Sequence, residues 1–309
     1  MLSHYYCHEI SAIVYTNGRP MLATGSRRDR HHGEIRRTPA RIIWRHFIRW
    51  STACTTAAFL SFAAAAADDP ATIDLSSYEL SFNEEFDHLD VSAWGPGTRW
   101  IAHTPWKGDF GSAKFSNPTA GFPFTVEGGL LRIEARKDGE QWRSGLLASV
   151  DRAGNGFAQQ FGYFEMRAKL PAGKGLWPAF WLVGLDRSTH TSEIDVIEHY
   201  GHMPDRYTAA VHVWDRKDRK QSRSVHQRIP IPPGSLYDDF HTFGASVEPD
   251  WIRIYLDRRE VWRTKTPPEH HQPMYVLVDL GLGAGWPIDE TPNPSFMYVD
   301  YIRAWTKKK

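Results

Sequence analysis

The amino-acid sequence predicts an all-β protein, a sandwich or jelly roll made by a single domain of about 230 residues. Short runs that alternate apolar and polar residues recur from Ser77 to Trp305, and no stretch of about twelve residues keeps a helical period. The 20 Pro and 24 Gly residues of the chain supply frequent turn signals between these runs. Many short strands at such spacing are typical of packed antiparallel sheets.

Three segments show the alternation most clearly. Leu130–Ala135 places its apolar side chains on one face, Phe161–Leu170 alternates throughout, and Trp251–Asp257 sets aliphatic side chains against polar and aromatic ones. Successive side chains of a strand point to opposite faces, so these runs indicate half-buried antiparallel strands. Val126–Leu130 is typical of a hairpin connection, because its two central glycines accept the positive φ of a tight turn.

The charge of the first 67 residues differs from that of the rest. They contain nine Arg, no Lys and three acidic residues, a net charge of +6, whereas residues 68–309 contain 28 basic and 33 acidic residues, a net charge of −5. A mildly acidic body without a basic stripe argues against a nucleic-acid partner.

The segment before residue 68 resembles a secretory signal. Arg41, Arg45 and Arg49 precede an apolar, Ala-rich run over residues 52–67, and a polar Asp-Asp-Pro follows. We expect residues 1–67 to be an upstream extension plus a signal peptide, and residues 68–309 to be one catalytic domain that is secreted or periplasmic. A membrane anchor is the alternative, although the run is short and Ala-rich for a membrane span.

Both cysteines, Cys7 and Cys54, lie in this upstream part. The predicted mature domain therefore has neither a disulfide nor thiolate chemistry, and no cysteine to bind a metal.

The run Ser192–His199 carries the chemistry. In a strand, Glu193 and Asp195 point to one face, and plain alternation would bury Glu198. A β-bulge at Val196-Ile197 adds one residue and returns Glu198 to the acidic face. The sequence therefore predicts three carboxyl groups on one face of a bulged strand.

Crowded carboxyl groups raise one another's pKa, so at least one tends to hold a proton near neutral pH. Retaining glycoside hydrolysis uses such a pair, one ionised to attack the anomeric carbon and one protonated to assist the leaving oxygen. A solvated acidic strand face and a metal site are the alternatives for the motif by itself.

The sequence around this run resembles a known family. Trp177–Leu182 (WPAFWL), Glu193–Glu198 (EIDVIE) and Phe161–Pro171 (FGYFEMRAKLP) are together similar to glycoside hydrolase family 16, in its bulged-strand branch. The resemblance extends from about Phe82 to Trp305.

The resemblance implies a β-jelly roll of two curved antiparallel sheets, like concanavalin A, with a cleft on the concave face. It also implies that Glu193 is the nucleophile, Glu198 the general acid/base, and Asp195 the middle aspartate that hydrogen-bonds the nucleophile and tunes the pair.

Aromatic and histidine side chains are candidates for substrate binding, since flat rings stack on sugars. Each of them has a structural alternative, as core residue, packed loop residue or structural hydrogen-bonding group. The candidates are Trp177, Trp181, His212, Trp286, Trp106 and Trp100.

From these features we expect a retaining endo-β-glycanase acting on β-1,3- or mixed-linkage β-glucan. Another β-linked polymer, such as a galactan or a bacterial exopolysaccharide, transglycosylation, and a silent carbohydrate-binding module are the alternatives. We expect a monomer whose partner is the polysaccharide, with no membrane contact after signal cleavage. We expect no cofactor; a structural calcium has no assignable ligands in the sequence.

Overall fold

The computed structural model describes residues 71–106 and 108–309, and the predicted upstream extension and signal peptide lie outside them. The described residues form nineteen strands: β1 (Tyr78–Glu84), β2 (Val91–Ser92), β3 (Trp100–Ile101), β4 (Lys114–Phe115), β5 (Phe124–Glu127), β6 (Leu130–Asp138), β7 (Gln141–Ser144), β8 (Leu146–Ala148), β9 (Ala158–Gln159), β10 (Gly162–Lys169), β11 (Leu176–Gly184), β12 (His190–Glu198), β13 (Arg206–Asp215), β14 (Arg223–Pro230), β15 (His241–Val247), β16 (Trp251–Leu256), β17 (Arg259–Lys265), β18 (Met274–Leu282) and β19 (Ser295–Lys307).

Helices are few and short in this part of the chain. They are one α-helix, α1 (Ser235–Asp238), and three 3₁₀ turns, Leu75–Ser77, Arg219–Gln221 and Pro268–His270. The predicted absence of long helices is confirmed for the described residues.

The strands form two sheets. The ten-stranded sheet has the order β17-β16-β15-β10-β19-β6-β7-β4, with β1 beside β19 and β5 beside β6. The nine-stranded sheet has the order β14-β13-β12-β11-β18-β8-β3-β2, with β9 beside β18. Non-consecutive strands are neighbours in both sheets, which confirms the predicted jelly-roll sandwich.

A continuous apolar core fills the space between the sheets. Alternate residues of each strand point inwards, so Phe180 and Ile194 of the nine-stranded sheet and Met166 and Ile302 of the ten-stranded sheet share one buried cluster and are fully buried. This packing leaves the opposite residues of β11 and β12 on the outer face of the nine-stranded sheet.

The predicted hairpin after residue 126 is confirmed. Glu127 pairs with Leu130 across a two-residue turn, and both Gly128 and Gly129 have positive φ, 60° and 76°. A turn with two positive φ angles matches the right-handed twist of the strands that it joins.

The outer face of β10 differs from the expectation of a half-buried strand, because Tyr163 and Glu165 on that face are fully buried. Glu165 accepts hydrogen bonds from the hydroxyls of Tyr163 and Tyr301 and two from the Arg258 guanidinium, all at 2.9 Å. Periodicity alone does not reveal this covering layer, because its members come from β19 and from the turn between β16 and β17.

Among the described residues, the structure contains no helix with the length and hydrophobicity that a membrane crossing needs.

Candidate active site

The bulge in β12 brings the three carboxyl groups to one face. Asp195 pairs with Trp181 of β11 and Glu198 with Ala179, so the register shifts between them and Val196 has no partner on β11. The apolar residues of this run all point into the core and are at most 1% exposed: Ile194, Val196 and Ile197. The predicted bulge is confirmed, and it gives Glu198 the same phase as Glu193.

Each glutamate accepts a hydrogen bond from an indole on a neighbouring strand. Trp214 on β13 donates from Nε1 to Glu193 Oε1 over 3.1 Å. Trp177 on β11 donates from Nε1 to Glu198 Oε1 over 3.0 Å. Indoles donate without bearing charge, so they orient the two carboxyl groups without neutralising them.

Asp195 lies between the glutamates along the strand and is 6% exposed. Its Oδ2 lies 2.9 Å from Nε2 of His212, and His212 Nδ1 lies 2.5 Å from the Ser224 hydroxyl. The His212 ring also stacks on Trp214, with centroids 4.6 Å apart and planes 14° apart. The His212 ring is thus held by hydrogen bonds to Asp195 of β12 and Ser224 of β14, and by stacking on Trp214 of β13.

Burial is the main electrostatic effect at the site. It raises the pKa of Glu193 to about 8 and that of Glu198 to about 8, and negative charge on Asp195 adds to both shifts. Burial likewise raises the pKa of Asp195 to about 7. The His212 ring and the indole donors lower the pKa of the glutamates. The set titrates as one coupled system that retains protons at neutral pH.

Glu193, Asp195 and His212 place three potential ligand atoms within 4.8 Å of one another. Oxygen and imidazole donors at this spacing suit a divalent metal. Asp195 and His212 are already hydrogen-bonded to each other, and Glu193 accepts a hydrogen bond from Trp214. These bonds also account for the arrangement without an ion.

Trp177 and Trp286 both reach the site side of the sheet. Trp177 contacts Glu198 directly, and Tyr200 stacks near it at 6.4 Å. Beyond Tyr200, His202 lies 4.4 Å from the Trp286 ring, which is 46% exposed. These four side chains form a row of rings leading away from Glu198, the kind of surface on which sugars stack.

Trp181 and Trp106 are packed together on the same face. Trp181 is only 6% exposed, because Trp106 and Phe110 lie against it at 6.0 and 5.8 Å. Trp106 is half-buried and carries the Arg187 guanidinium on its ring at 3.9 Å. Trp181 is therefore a supporting residue beneath Trp106 and Phe110, and Trp106 is the more accessible of the pair.

Trp100 is not at the site, and the expectation that it binds substrate is wrong. It is 0% exposed in the core between the sheets, where Nε1 donates to Glu84 Oε2 over 2.9 Å. Trp100 and Ile101 form β3, and the aromatic residues that fold over the site side, Trp106 and Phe110, come later in the chain.

Three residues of the site are not among the candidates that the sequence identified. Trp214 shares a strand face with His212, so alternation could have selected it. Asp279 is the single acidic residue in an otherwise largely apolar strand, which is a detectable signal. Tyr200 follows β12 in a loop, and no periodic pattern identifies it.

Known proteins resemble this chain over most of its described part. A model of the glycosyl hydrolases family 16 matches residues 124–303. The chain is 33% identical over 259 residues to the endo-1,3-1,4-beta-glycanase ExsH of Rhizobium meliloti (strain 1021), covering 76% of this chain and 53% of that protein. It thus spans about half the length of that relative.

Two further similarities extend the comparison. The chain is 28% identical over 263 residues to a beta-glucanase of Rhodothermus marinus, covering 74% of this chain and 85% of that protein. The crystal structure of SCLam, a non-specific endo-beta-1,3(4)-glucanase, matches with a TM-score of 0.64 and 24% identity, covering 78% of this chain and 95% of the other. The latter supports the fold.

Proposed function

Because the chain belongs to the glycosyl hydrolases family 16, we propose that it is a retaining endo-β-glycanase that hydrolyses β-1,3- or mixed-linkage β-glucan. The observation that carries the proposal is the bulged β12, which presents Glu193, Asp195 and Glu198 on one face. The endo-1,3-1,4-beta-glycanase activity named for ExsH and the beta-glucanase activity named for the Rhodothermus marinus protein support this substrate class.

In the first step, the ionised Glu193 carboxylate attacks the anomeric carbon while Glu198 gives its proton to the leaving oxygen. The C–O bond to the leaving sugar breaks as the bond to Glu193 forms. Trp214 holds the Glu193 carboxyl group, and Trp177 holds that of Glu198. The raised pKa values keep protons on the carboxyl set near neutral pH, and the step proceeds from the state in which Glu198 holds a proton and Glu193 is ionised.

In the second step, Glu198, now a carboxylate, takes a proton from water, and the water oxygen displaces Glu193 from the anomeric carbon. Two inversions give net retention. Asp195 changes the charge that both glutamates face, and His212 holds Asp195 in place. A sugar hydroxyl in place of water would give transglycosylation.

A second β-linked polymer remains the main alternative substrate. The keratan-sulfate endo-1,4-beta-galactosidase of Sphingobacterium multivorum is 23% identical to this chain over 258 residues, so a similar sequence occurs with an endo-β-galactosidase activity. A silent binding module is disfavoured, because crowding one buried and two half-buried carboxyl groups costs stability without aiding sugar binding.

We propose that the protein acts outside the cytoplasm. The support is the sequence of residues 41–67, an Arg-flanked apolar run ending in small residues. N-terminal sequencing of exported protein should find a start close to Asp68. Exported protein that retains Cys54 would contradict this.

The deciding experiment compares Glu193→Ala with Glu198→Ala on polymer and on an activated aryl β-glycoside. Glu193→Ala should lose turnover on both. Glu198→Ala should lose about 10²–10⁴-fold on polymer, since the sugar leaving group needs a proton, and keep glycosyl-enzyme formation on the aryl glycoside.

Azide provides the control for this experiment. It should restore turnover of Glu198→Ala on the aryl glycoside and give a β-glycosyl azide, because a small anion attacks the intermediate without a general base. Equal losses on both substrates with no effect of azide would reject the assignment of Glu198, and an initial α-anomer in proton NMR would reject retention.

A further inference from the structure

A fourth carboxyl group lies beneath the site. Asp279 sits in the middle of β18 and is 0% exposed, paired with Ala179 of β11 on one side and Leu146 of β8 on the other. Its Oδ1 accepts a hydrogen bond from Trp181 Nε1 over 2.9 Å. Its Oδ2 has no hydrogen-bond partner among the residues that the structure describes.

The surroundings of Asp279 disfavour a negative charge. The two strands on either side of β18, residues 176–184 and 146–148, contain no ionisable side chain. Glu198 and Asp195 of β12 are ionisable groups that act on it. Burial raises the pKa of Asp279 well above its ordinary value, and negative charge on these two groups adds to the shift, whereas the Trp181 indole and the nearby backbone N–H of Gly281 oppose it.

The lack of a hydrogen-bond partner at Asp279 Oδ2 is a geometric reason for the same conclusion, that this carboxyl group is uncharged. An ionised carboxylate needs donors at both oxygens when it is buried, and an oxygen without a donor is where a proton resides at least cost. A Cβ at Gly281 would lie 3.1 Å from both Asp279 Oδ2 and Trp177 Cε3. The glycine therefore leaves room for this carboxyl group close to the indole that holds Glu198.

Contacts connect Asp279 to the reacting groups through aromatic rings. Trp181, whose indole donates a hydrogen bond to Asp279, pairs with Asp195 across the β11–β12 ladder and packs against Phe110. Phe110 lies 5.4 Å from Trp177, whose indole donates to Glu198. A change in the tilt of Trp181 therefore reaches the acid/base through two ring contacts.

We propose that Asp279 is a positioning residue of the active site: an uncharged carboxyl group that fixes Trp181 and, through Phe110 and Trp177, the orientation of Glu198. This inference rests on the proposed role of Glu198 as acid/base. Being uncharged, Asp279 holds the ring without adding a fourth negative charge to the carboxyl set.

Asp279→Asn tests the charge. Asparagine keeps an oxygen that accepts from Trp181 and bears no charge, so the basic limb of the pH profile should not move. If Asp279 is ionised in the working enzyme, Asn removes a negative charge near Glu198, lowers the pKa of Glu198 and moves that limb to lower pH, which would overturn the proposal. Asp151→Asn, a buried aspartate bonded to its own loop, is the matched control and should leave the profile unchanged.

Asp279→Leu tests the connection to Trp181. It keeps the volume but removes the acceptor, and kcat should fall about tenfold with little change in KM. Trp181→Phe should give a similar loss, and the double variant should be no worse than either single one. Additive losses would show that Asp279 does not act through Trp181. If Asp279→Leu does not fold, Asp279→Asn and Trp181→Phe still test the proposal.

Infrared spectroscopy separates this inference from the proposed function. The difference spectrum of the wild-type protein minus Asp279→Asn should show the carbonyl band of a protonated carboxyl group at neutral pH, whether or not the protein cleaves glucan. A carboxylate band in its place would refute the uncharged state of Asp279. If the wild-type protein shows no glucanase activity although the protonated band is present, the proposed function alone is refuted.

Discussion

Each sheet buries carboxyl groups, and the two sheets treat them in opposite ways. Glu165 in the ten-stranded sheet is fully buried and accepts four hydrogen bonds, two of them from the Arg258 guanidinium. In the nine-stranded sheet, Glu193 and Glu198 each accept from an uncharged indole and face Asp195. One environment supplies a countercharge and the other supplies like charge.

The difference distinguishes a structural acid from the acids that we propose to be catalytic. A carboxyl group held by a bidentate guanidinium is fixed beside a countercharge, and it raises the pKa of Arg258 in return. Carboxyl groups crowded on one strand face share protons, so a small change in surroundings moves a proton between them. Burial alone therefore does not mark a functional acid; the partners decide.

Glutamine substitutions at the two places should give the largest contrast. Glu193→Gln should lower kcat by about 10⁴-fold or more, because the amide cannot attack the anomeric carbon. Glu165→Gln should leave kcat of the folded enzyme within about threefold. Initial rates on β-glucan at matched concentrations of folded protein measure both effects. A large loss of kcat in Glu165→Gln would mean that Glu165 and its hydrogen-bond donors serve catalysis.

Stability should respond to the same two substitutions with opposite sign. Glu165→Gln should destabilise the fold by about 3 kcal/mol, because Arg258 loses its charged partner. Glu193 has a pKa of about 8 in the folded chain, above its ordinary value, so ionising it costs folding free energy as pH rises from about 4.5 to about 8. Glu193→Gln should therefore be more stable than the wild type above pH 8 and similar to it near pH 4.

Urea denaturation at several pH values checks these signs. A wild-type stability that increases from pH 5 to pH 8, with no gain in Glu193→Gln, would contradict the raised pKa of Glu193.

Asp195→Asn isolates the effect of like charge within the site. Negative charge on Asp195 raises the pKa of Glu193 and of Glu198, so removing it should move both limbs of the kcat/KM profile to lower pH. The maximal kcat should fall about 10–100-fold, less than for Glu193→Gln, since both reacting groups remain. Limbs that move to higher pH would show that Asp195 is not a charged neighbour of the pair.

His212→Gln should produce the opposite shift and the smallest loss. The ring lowers the pKa of Glu193 and of Glu198, so its removal should move both limbs to higher pH, with kcat reduced about three- to tenfold. Ser224→Ala, which removes only the second partner of His212, is the control and should move the limbs less in the same direction. An unchanged profile in His212→Gln would assign the histidine a purely structural role.

The sequence predicted the parts of the site that depend on strand phase. The run Glu193–Glu198 implied a bulge, because only an extra residue lets three acids share a face while the apolar residues beneath stay buried. The hairpin after residue 126 followed from its paired glycines. The roles of Trp181 and Trp100 could not be read this way, because an indole surrounded by apolar residues gives the same local pattern on an inner and an outer face.

What the sequence determined by itself was therefore the β architecture, the phase of β12 and the set of candidate acids, all of which follow from local periodicity and turn chemistry. The tertiary structure decided which carboxyl group meets an arginine and which meets another carboxyl group. It also decided that Asp279 lies under Trp181, and that Trp100 lies in the core. Those outcomes depend on side chains from strands far apart in the chain. Desolvation and cross-strand charge, which set a pKa, arise only when those strands pack.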